Sequence, residues 1–488
     1  MRPSLATQPR VSLQLRSPFA IRILVFWSSL CALWALSRWR YETLPETDAG
    51  VRIYWYEDRN KPPLYPALLE RERRMPQHSE AAPPPDGRSA KYLRFSNQLR
   101  GVGFNNQMQE ILLNSYIAYL LGRSYVFSPY TWDLKNEPFV PVEHNTHLAG
   151  ARHVRPSRVP LTAFLNGPTA GAPWIVDSSL SVEQLEKTPR AISARYWDEI
   201  CPDDSRYNIN TTEVNARIGV DFDNDDGAII VDKWVAFLGG IDDQRCINIM
   251  QDTPRIIDFG ILSSERLVSI WPGYSKSPVL TQFKWSPIVL GAVQKNLPLL
   301  LPPSRLARKI SKIKNQYLEI PGLVTLHIRR GDFESHCVFV STTFASFEGW
   351  NQLPFLPDGF NSPQSPQERG KYTMERCWIE IPDVVSRLES LRRQYSELTL
   401  DRVFLSTNAK PEWLAELKHV LSQHGWRNVV STSDISLTWQ ESGVENAVDI
   451  EIASRGQIFV GNGFSSFSST IIRLRMVRGL NPKYTRRW

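Results

Sequence analysis

The segment TLHIRRGDFESHC, residues 325–337, places a histidine, two arginines and an aspartate directly after a run of apolar residues. The apolar run predicts a buried strand, and in open α/β sheets ligands bind beyond the carboxyl ends of the strands. The planar guanidinium of arginine matches phosphate oxygens and keeps its charge when it is buried. We therefore expect an anion-binding site formed from His327, Arg329, Arg330 and Asp332. The structural alternative pairs one of the arginines with the aspartate and leaves the histidine in the core.

A second candidate stretch is GNGFSSFSST, residues 461–470, which follows the apolar run QIFVG and opens the last predicted helix. Glycine lets the chain turn sharply and approach a ligand closely. The serine hydroxyls add to the free backbone N–H groups of a helix N-terminus, where the helix dipole favours an anion. The structural alternative is an ordinary serine cap, which would explain one serine but hardly four. The sequence lacks the P-loop motif, so this stretch is not a loop of that kind.

The third stretch is LRGVGFNNQMQEI, residues 99–111, at a predicted turn from a strand into a helix. Gly101 and Gly103 give the turn its freedom, but the third glycine of a dinucleotide-binding fingerprint is missing. The amides of Asn105 and Asn106 both donate and accept hydrogen bonds, which suits sugar hydroxyls and a diphosphate. A simple capping turn is the alternative.

Together the three stretches predict a phosphate-rich ligand held between two α/β halves. Acidic runs such as DNDD, residues 223–226, lie in predicted loops and lack the flank of the D-x-D motif typical of metal-dependent sugar transferases. We therefore expect no metal cofactor, and arginine and helix N-termini would stabilise a departing diphosphate instead. Asp449, in the helix before the last strand, either faces solvent or reaches the same crevice.

Strands and helices alternate along much of the chain, which predicts a doubly wound α/β fold. Residues 130–300 are rich in Pro, Trp and Gly and predict short segments joined by loops. A basic amphipathic helix is expected at 302–318, and a mobile loop at 352–370. The clearest elements are the strand KYLRF, the helix from Met108, the strands SYVFSP, GLVTLHI and DRVFLST, the helix from Pro411, the strand NVVST, the helix ENAVDIEIAS, the strand QIFVG and the helix SSFSSTIIRLRMVRG.

The N-terminal part of the chain carries a targeting signal. Residues 1–18 are basic and hold no acid, which predicts a cytosolic tail. Residues 19–37 are apolar enough for a signal-anchor helix if Arg22 snorkels. Residues 39–90 mix charge and proline and predict an extended stalk. These features predict a single-pass type II membrane protein with its body in the lumen, and a cleaved signal peptide is the alternative.

The cysteines of the body suit an oxidising compartment. Cys201, Cys246, Cys337 and Cys377 form no C-x-x-C motif, which argues against zinc and thioredoxin-like sites. Sequence proximity favours pairing the first two with each other and the last two with each other, although the other pairings stay open. Asn210 begins the only sequon that we consider a glycosylation site.

The formal net charge of +7 and the pI of about 9.1 come from basic residues scattered along all 488 positions. Without a basic stripe or a nucleic-acid-binding motif, we expect no nucleic-acid partner. A basic surface suits an anionic small substrate or an anionic membrane.

The motifs GVGFNNQ, HIRRGDF, FLSTNA and VDIEIASRGQIFVGNGFSSFS occur in the order seen in GDP-fucose protein O-fucosyltransferase-like proteins, and the chain resembles that family over roughly residues 91–480. The resemblance implies a GT-B fold with two Rossmann-like domains, at 91–300 and 301–480, and the donor cleft between them. It also implies metal-independent, inverting transfer of fucose from GDP-fucose in the endoplasmic reticulum or Golgi.

The resemblance also implies roles for individual residues. Arg329 matches the essential arginine that contacts the β-phosphate and the bridging oxygen, and so would be catalytic. Beyond what the resemblance implies, we expect Asn105 or Asn106 to orient the acceptor. The implied donor-binding residues are Gly103, Phe104, Asn105, Asn106, His327, Arg329, Asp449, Ser465, Ser466 and Phe467.

The chain departs from the family pattern in the donor loop. Gly103 stands where one type of protein O-fucosyltransferase has an arginine, and the glutamate base of the other type has no clear counterpart. Asp332 or Glu334 are the candidates for accepting a proton. The acceptor is expected to be a serine or threonine of a secretory protein, or a glycan hydroxyl. The alternatives are a transferase for another nucleotide sugar in the same fold and a non-catalytic glycan-binding protein of the lumen.

Overall fold

The computed structural model describes most of the chain after its N-terminal part. The described residues are 60–135, 137–141, 154–175, 183, 186–302, 319–343 and 345–488. They all fall in the second of two compact units, Glu57–Trp488. The predicted tail and signal anchor, residues 1–37, lie outside the described residues, as does nearly all of the helix expected at 302–318. Within the described ranges, none of the helices combines the length and the hydropathy that a bilayer span requires.

Two parallel five-stranded sheets organise the described unit. The N-terminal sheet has the order β7-β2-β1-β9-β8, and the C-terminal sheet has the order β12-β11-β10-β13-β14. Two short antiparallel ribbons, β3–β6 and β4–β5, accompany the N-terminal sheet. The strands are β1 (Tyr92–Phe95), β2 (Ser124–Phe127), β3 (Tyr130–Thr131), β4 (Phe139–Pro141), β5 (Val154–Pro156), β6 (Arg158–Val159), β7 (Ile192–Ser193), β8 (Tyr207–Ile209), β9 (Cys246–Ile249), β10 (Ile320–Ile328), β11 (Arg402–Thr407), β12 (Asn428–Ser431), β13 (Gly456–Gly461) and β14 (Thr485–Arg487).

Helices lie between most of these strands. They are α1 (Pro66–Arg73), α2 (Phe104–Leu120), α3 (Leu161–Phe164), α4 (Ala194–Ile200), α5 (Thr211–Ile218), α6 (Gly227–Gly239), α7 (Phe259–Leu262), α8 (Trp271–Tyr274), α9 (Pro278–Thr281), α10 (Pro287–Leu300), α11 (Phe333–Thr342), α12 (Pro366–Cys377), α13 (Ile381–Gln394), α14 (Pro411–Gln423), α15 (Glu445–Ser454) and α16 (Ser466–Val477). Eight short 3₁₀ segments join the described elements, and the one that matters for the site is Gly349–Gln352.

The α/β prediction is confirmed, and the central strand of the C-terminal sheet shows why. The strand β10 is buried along almost its whole length because it pairs in parallel with β11 on one side and β13 on the other. Parallel strands covered on both faces read as continuous apolar runs, and GLVTLHI is such a run. In this register His327 lies opposite Ser406, and Leu326 lies opposite Val460. The carboxyl ends of these strands therefore meet at one edge.

The two sheets share one continuous apolar core. It contains buried side chains of α2, such as Leu112, together with Trp350 and Ile471 from the C-terminal half. A second core, which includes Val324 and Leu405, fills the other face of the C-terminal sheet. The helices α2 and α16 pack against each other, and they position the residues of the candidate site.

Two sequence expectations differ from the structure. The stalk predicted for residues 39–90 is contradicted from residue 66 onward, because α1 and the residues after it pack on the body. Glu72 is buried and accepts hydrogen bonds from the backbone N–H and the hydroxyl of Thr162. The mobile loop predicted at 352–370 is held in place as well, since the Asp358 carboxylate pairs with the Arg486 guanidinium at 2.6 Å.

Candidate functional site

The histidine of the predicted site lies in the wall of the crevice. His327 is buried, and its Nδ1 lies 2.8 Å from the hydroxyl oxygen of Ser468. Its ring stacks on the ring of Phe467, with 4.4 Å between the centroids. Burial, followed by the charge of Arg329, lowers the pKa of His327 to about 3. The neutral ring therefore fixes the start of α16 against the end of β10.

Arg329 follows this strand and carries a charge toward the crevice. Its side chain is 32% exposed, and its Nη2 lies 3.2 Å from a carboxylate oxygen of Asp332, whose own side chain is 55% exposed. The guanidinium carbon lies 5.1 Å from the centre of the Phe333 ring. Burial lowers the pKa of Arg329 and Asp332 opposes that shift, but arginine starts so high that it stays charged. A guanidinium with five N–H donors and this one exposed carboxylate can bind a further anion.

The neighbouring Arg330 has a structural role instead. Its Nη1 donates to the carbonyl of Ile379 at 2.8 Å and lies 3.2 Å from the Glu380 carboxylate. The guanidinium also stacks on Trp378, 3.9 Å from the ring centre. These contacts give Arg330 a structural role that the sequence did not predict, with Glu380 as its ionic partner. The salt bridge to Asp332 that the structural alternative named is made by Arg329, whose remaining N–H donors keep the predicted anion-binding role.

The serine-rich stretch forms the turn between β13 and α16. Ser465 is the N-cap of α16, and its Oγ accepts a hydrogen bond from the N–H of Phe467 at 3.3 Å. Asn462 fixes the turn from behind, because its Oδ1 accepts from the N–H of Phe464 at 3.0 Å and its Nδ2 donates to the carbonyl of Cys377 at 2.7 Å. We refer to residues 462–466 as the serine turn.

Asp449 reaches the crevice rather than facing solvent. The Thr432 hydroxyl donates to its carboxylate at 2.7 Å, and Ser406 also hydrogen bonds to it. Burial raises the pKa of Asp449 to about 7, although both hydroxyls lower it. Ser406 and Thr432 lie at the carboxyl ends of β11 and β12, so this aspartate belongs to the same edge as Arg329.

The glycine-rich stretch ends in the first turn of α2. Gly103 is the N-cap residue, it is exposed, and a side chain there would meet no atom within 4 Å. The Gln107 side chain holds the turn, because its Nε2 donates to the carbonyls of Val102 at 2.7 Å and Thr131 at 2.8 Å. The open side of this turn is therefore available to a ligand, while the glutamine is structural.

Besides Gly103, three residues of this turn were predicted to bind the donor, and their surroundings in the structure differ from one another. Phe104 is buried and packs on Phe164, with ring centroids 4.6 Å apart, so its ring belongs to the core. Asn106 is half-buried. Asn105 is 8% exposed, and its Oδ1 is buried without a hydrogen-bond partner. Leaving a buried oxygen unsatisfied costs about 1–3 kcal/mol, so Asn105 is the member of the three best explained by a bound group.

Contacts between α2 and α16 bring the two halves of the site together. The Ser469 hydroxyl donates to Oε1 of Gln109 at 3.2 Å and accepts from the N–H of Trp350 at 2.9 Å. Gln109 and Ser469 both lie within the first two turns of their helices. The N-termini of α2 and α16 therefore open on one crevice, with Arg329 at its C-terminal side.

The two residues predicted to accept a proton, Asp332 and Glu334, differ in their surroundings. Asp332 is engaged with Arg329 and also accepts from Nδ2 of Asn408 at 2.9 Å. Glu334 is an exposed residue in the first turn of α11. Sequence reasoning missed a further acid, Glu348, which lies beside the serine turn. Nothing in its local sequence, FEGW, marks it as part of a site.

The structure pairs the cysteines as sequence proximity favours, in the disulfides Cys201–Cys246 and Cys337–Cys377. Asn210 is the N-cap of α5, where its Oδ1 accepts from the N–H of Thr212 at 3.0 Å. Among the residues that the structure describes, three or more His, Cys, Asp or Glu side chains are nowhere grouped so as to hold a metal ion.

Comparison with solved structures finds distant likenesses. One is the crystal structure of POFUT1 in complex with GDP, at 14% identity and TM-score 0.46, covering 81% of this chain and 98% of that chain. POFUT1 in complex with GDP-fucose gives 14% identity and TM-score 0.45, with 81% and 97% covered. NodZ α-1,6-fucosyltransferase soaked with GDP-fucose gives 11% identity and TM-score 0.34, with 79% and 92% covered. These likenesses are too distant to assign a role to any residue of this chain.

Comparison with curated proteins gives no match. The family model described as GDP-fucose protein O-fucosyltransferase matches residues 304–478. This segment holds β10 to α16, and with them Arg329, Asp449 and the serine turn. The resemblance that the sequence motifs indicate is thereby confirmed, with residues 304–478 as the segment that is similar to the GDP-fucose protein O-fucosyltransferase family.

Proposed function

We propose that this protein is a glycosyltransferase that transfers fucose from GDP-fucose to a hydroxyl group. The observation that carries the proposal is the match of residues 304–478 to the GDP-fucose protein O-fucosyltransferase family. Within that segment Arg329, Asp449 and the serine turn occupy one edge of a parallel sheet. A ligand at this edge obeys the general rule for open α/β sheets.

The architecture that we propose is a GT-B fold, in which two Rossmann-like halves clasp the donor. Two parallel five-stranded sheets support it, as do the N-termini of α2 and α16, which open on the crevice between the halves. The C-terminal half would bind the nucleotide and diphosphate of the donor. The N-terminal half would present the acceptor.

The proposed reaction is an in-line displacement that inverts the sugar carbon. The acceptor oxygen attacks C1 of fucose while the bond from C1 to the phosphate oxygen breaks, and the electron pair leaves with GDP. The proton of the acceptor hydroxyl is released to solvent. Arg329 and the N–H groups at the start of α16 stabilise the charge that develops on the leaving diphosphate. A fixed guanidinium can serve this purpose without a metal ion, so we propose metal-independent transfer.

Asn105 is the residue that we propose for orienting the acceptor or the sugar. Its free Oδ1 can accept a hydrogen bond from a hydroxyl, and its amide nitrogen can donate one. The acceptor that we propose is a serine or threonine of a secretory protein, or a glycan hydroxyl. The two disulfides agree with a body in the lumen of the endoplasmic reticulum or Golgi, attached through the predicted anchor.

The test is incubation of the full-length protein with labelled GDP-fucose and a secreted-protein extract, with EDTA in one arm and manganese in the other. We expect equal labelling of protein in both arms. Arms with GDP-mannose and with UDP-sugars separate this function from transfer of another sugar, and we expect little label from them. Tight glycan binding without any transfer or release of GDP would identify a non-catalytic binding protein and contradict the proposal.

A further inference from the structure

The segment 345–352 brings an acidic residue to the serine turn. Phe347 packs directly on the turn, where any side chain at position 463 would lie 2.3 Å from its ring, so Gly463 is required there. Two residues on, Gly349 has φ of +58°, and a Cβ there would lie 2.5 Å from Oγ of Ser469. This tight packing holds Glu348 between the two glycines at a fixed place in the crevice.

Hydrogen bonds fix the backbone of Glu348 against the serine turn. Its N–H donates to the carbonyl of Gly463 at 2.8 Å. Nδ2 of Asn351 donates both to the carbonyl of Glu348 at 2.7 Å and to the carbonyl of Ser465 at 3.2 Å. Glu348 therefore cannot leave the turn without breaking contacts on both of its sides.

The carboxylate of Glu348 occupies the N-terminus of α16. It accepts a hydrogen bond from the N–H of Ser466, the first residue of that helix. Burial raises the pKa of Glu348 to about 7, and the Ser466 hydrogen bond only partly offsets this shift. Glu348 therefore changes its protonation near neutral pH, at the place where the proposed donor puts its diphosphate.

We propose that donor binding is coupled to proton uptake by Glu348. The inference rests on the proposed function, because it takes the diphosphate to bind at the start of α16. Two anions at this helix end repel each other, and the bound diphosphate favours the neutral carboxyl. The proton comes from solvent, and the resulting O–H can donate a hydrogen bond to a phosphate oxygen. Protonation turns a competing anion into a ligand for the donor.

The ionisable groups on the surrounding elements do not duplicate this role. On α11, His336 hydrogen bonds to the backbone of Phe464, and burial lowers its pKa, so it is neutral near pH 7. Beyond the Phe347 ring, Glu265 and Arg487 line a separate pocket of about 80 Å³. Arg329, across the serine turn, stays charged throughout this pH range.

Calorimetry of GDP-fucose binding to the full-length protein tests the coupling. GDP-fucose is a suitable probe because its diphosphate is esterified at both ends and does not titrate near neutral pH. At pH 7.5 we expect the observed enthalpy to vary with the ionisation enthalpy of the buffer, which reports proton uptake. We also expect the affinity to fall by up to about tenfold per pH unit above 7, because at most one proton is taken up.

The variant Glu348→Gln keeps an acceptor for the Ser466 N–H but cannot titrate. We expect it to bind GDP-fucose without proton uptake and about tenfold more tightly than wild type at pH 8, with a small difference at pH 6. Glu375→Gln on α12 is the matched control, since Glu375 is exposed and pairs only weakly with Lys371 at 3.9 Å. We expect the control to behave as wild type.

Three results would overturn the inference. The first is wild-type binding whose heat does not depend on the buffer, a measurement that holds even if the glutamine variant does not fold. The second is unchanged proton uptake in Glu348→Gln. The third is wild-type protein that binds no GDP-fucose at all, which would contradict the proposed function as well, whereas the first two leave that function intact.

Discussion

The carboxyl edges of the two sheets differ in what they offer to a ligand. In the C-terminal sheet, four adjacent strands, β10 to β13, all lead to side chains or turns that face the crevice. In the N-terminal sheet, the contribution comes from the single turn between β1 and α2, with the free oxygen of Asn105. Of the residues that we assign to the site, the ionisable ones, Arg329 and Asp449, both belong to the C-terminal half. The difference favours our proposal that the C-terminal half binds the charged donor and that the N-terminal half orients the acceptor or the sugar.

The family match shows the same asymmetry. It covers residues 304–478, the C-terminal half, and stops short of the N-terminal sheet. Recognition of a charged diphosphate restricts residue types strongly, since only a few side chains supply rigid donors. On the proposed function, an N-terminal half that presents different acceptors would be under no such common restriction. The following experiments test this division between the halves.

The largest effect is expected from Arg329→Ala. Removing the guanidinium should lower kcat/KM for GDP-fucose by a factor on the order of 10²–10³, because a charge contact to the leaving group is lost. The melting temperature should hardly change, since this side chain is partly exposed. Arg330→Ala is the matched comparison and should instead lower the melting temperature, because its guanidinium stacks on Trp378. Normal turnover by the Arg329 variant would contradict the proposal that the C-terminal half binds the charged donor through this residue.

The two disulfides should separate stability from donor binding. They join residues 45 and 40 positions apart, so replacing either pair by serine should cost about 2–4 kcal/mol of unfolding free energy. Only the Cys337–Cys377 pair adjoins the serine turn, through the hydrogen bond from Asn462 to the carbonyl of Cys377. We expect this replacement alone to weaken GDP binding, as measured by calorimetry below the unfolding transition. Equal loss of GDP affinity in both variants would show that the N-terminal half also shapes the donor site.

A buried carboxyl in the N-terminal half should affect stability alone. Glu110 is buried, accepts from the N–H of Leu99 at 2.6 Å, and burial raises its pKa to about 7. Because the folded-state pKa lies above the unfolded value, its contribution is present below pH 4.5 and is lost as the pH rises through 7. Urea unfolding should show Glu110→Gln gaining roughly 1–3 kcal/mol over wild type between pH 4.5 and pH 8. A pH-dependent change in GDP affinity in this variant would place Glu110 in the donor site.

The smallest effect is expected from Asn105→Ala. The N-terminal half is proposed to orient an acceptor hydroxyl or the sugar, so the rate of transfer should fall about tenfold, the scale of one hydrogen bond to a neutral group. The dissociation constant for GDP should stay within about twofold. Asn224→Ala, in an exposed loop, is the surface control. A large loss of GDP affinity in Asn105→Ala would show that Asn105 contacts the donor nucleotide, and this would contradict the prediction.

The C-terminal half was the more predictable from sequence, for a physical reason. Its strands are buried on both faces and read as apolar runs, and its site residues follow those runs directly, as Arg329 follows β10. The N-terminal strands β7 and β8 have only two and three residues, too short for a periodic pattern. Contacts between segments that are distant along the chain could not be predicted from the sequence either. One of them joins Glu72 to Thr162 and holds part of the predicted stalk against the body. Glu348 was not predicted as a site residue for the same reason, because only folding brings it to the serine turn.

A crystal structure of the protein soaked with GDP-fucose would show which half of the molecule binds the diphosphate. We expect the diphosphate between the Arg329 guanidinium and the start of α16, with the fucose turned toward Asn105. Density for the diphosphate at the N-terminal sheet, or a crevice left empty at saturating donor with Arg329 still on Asp332, would contradict this prediction.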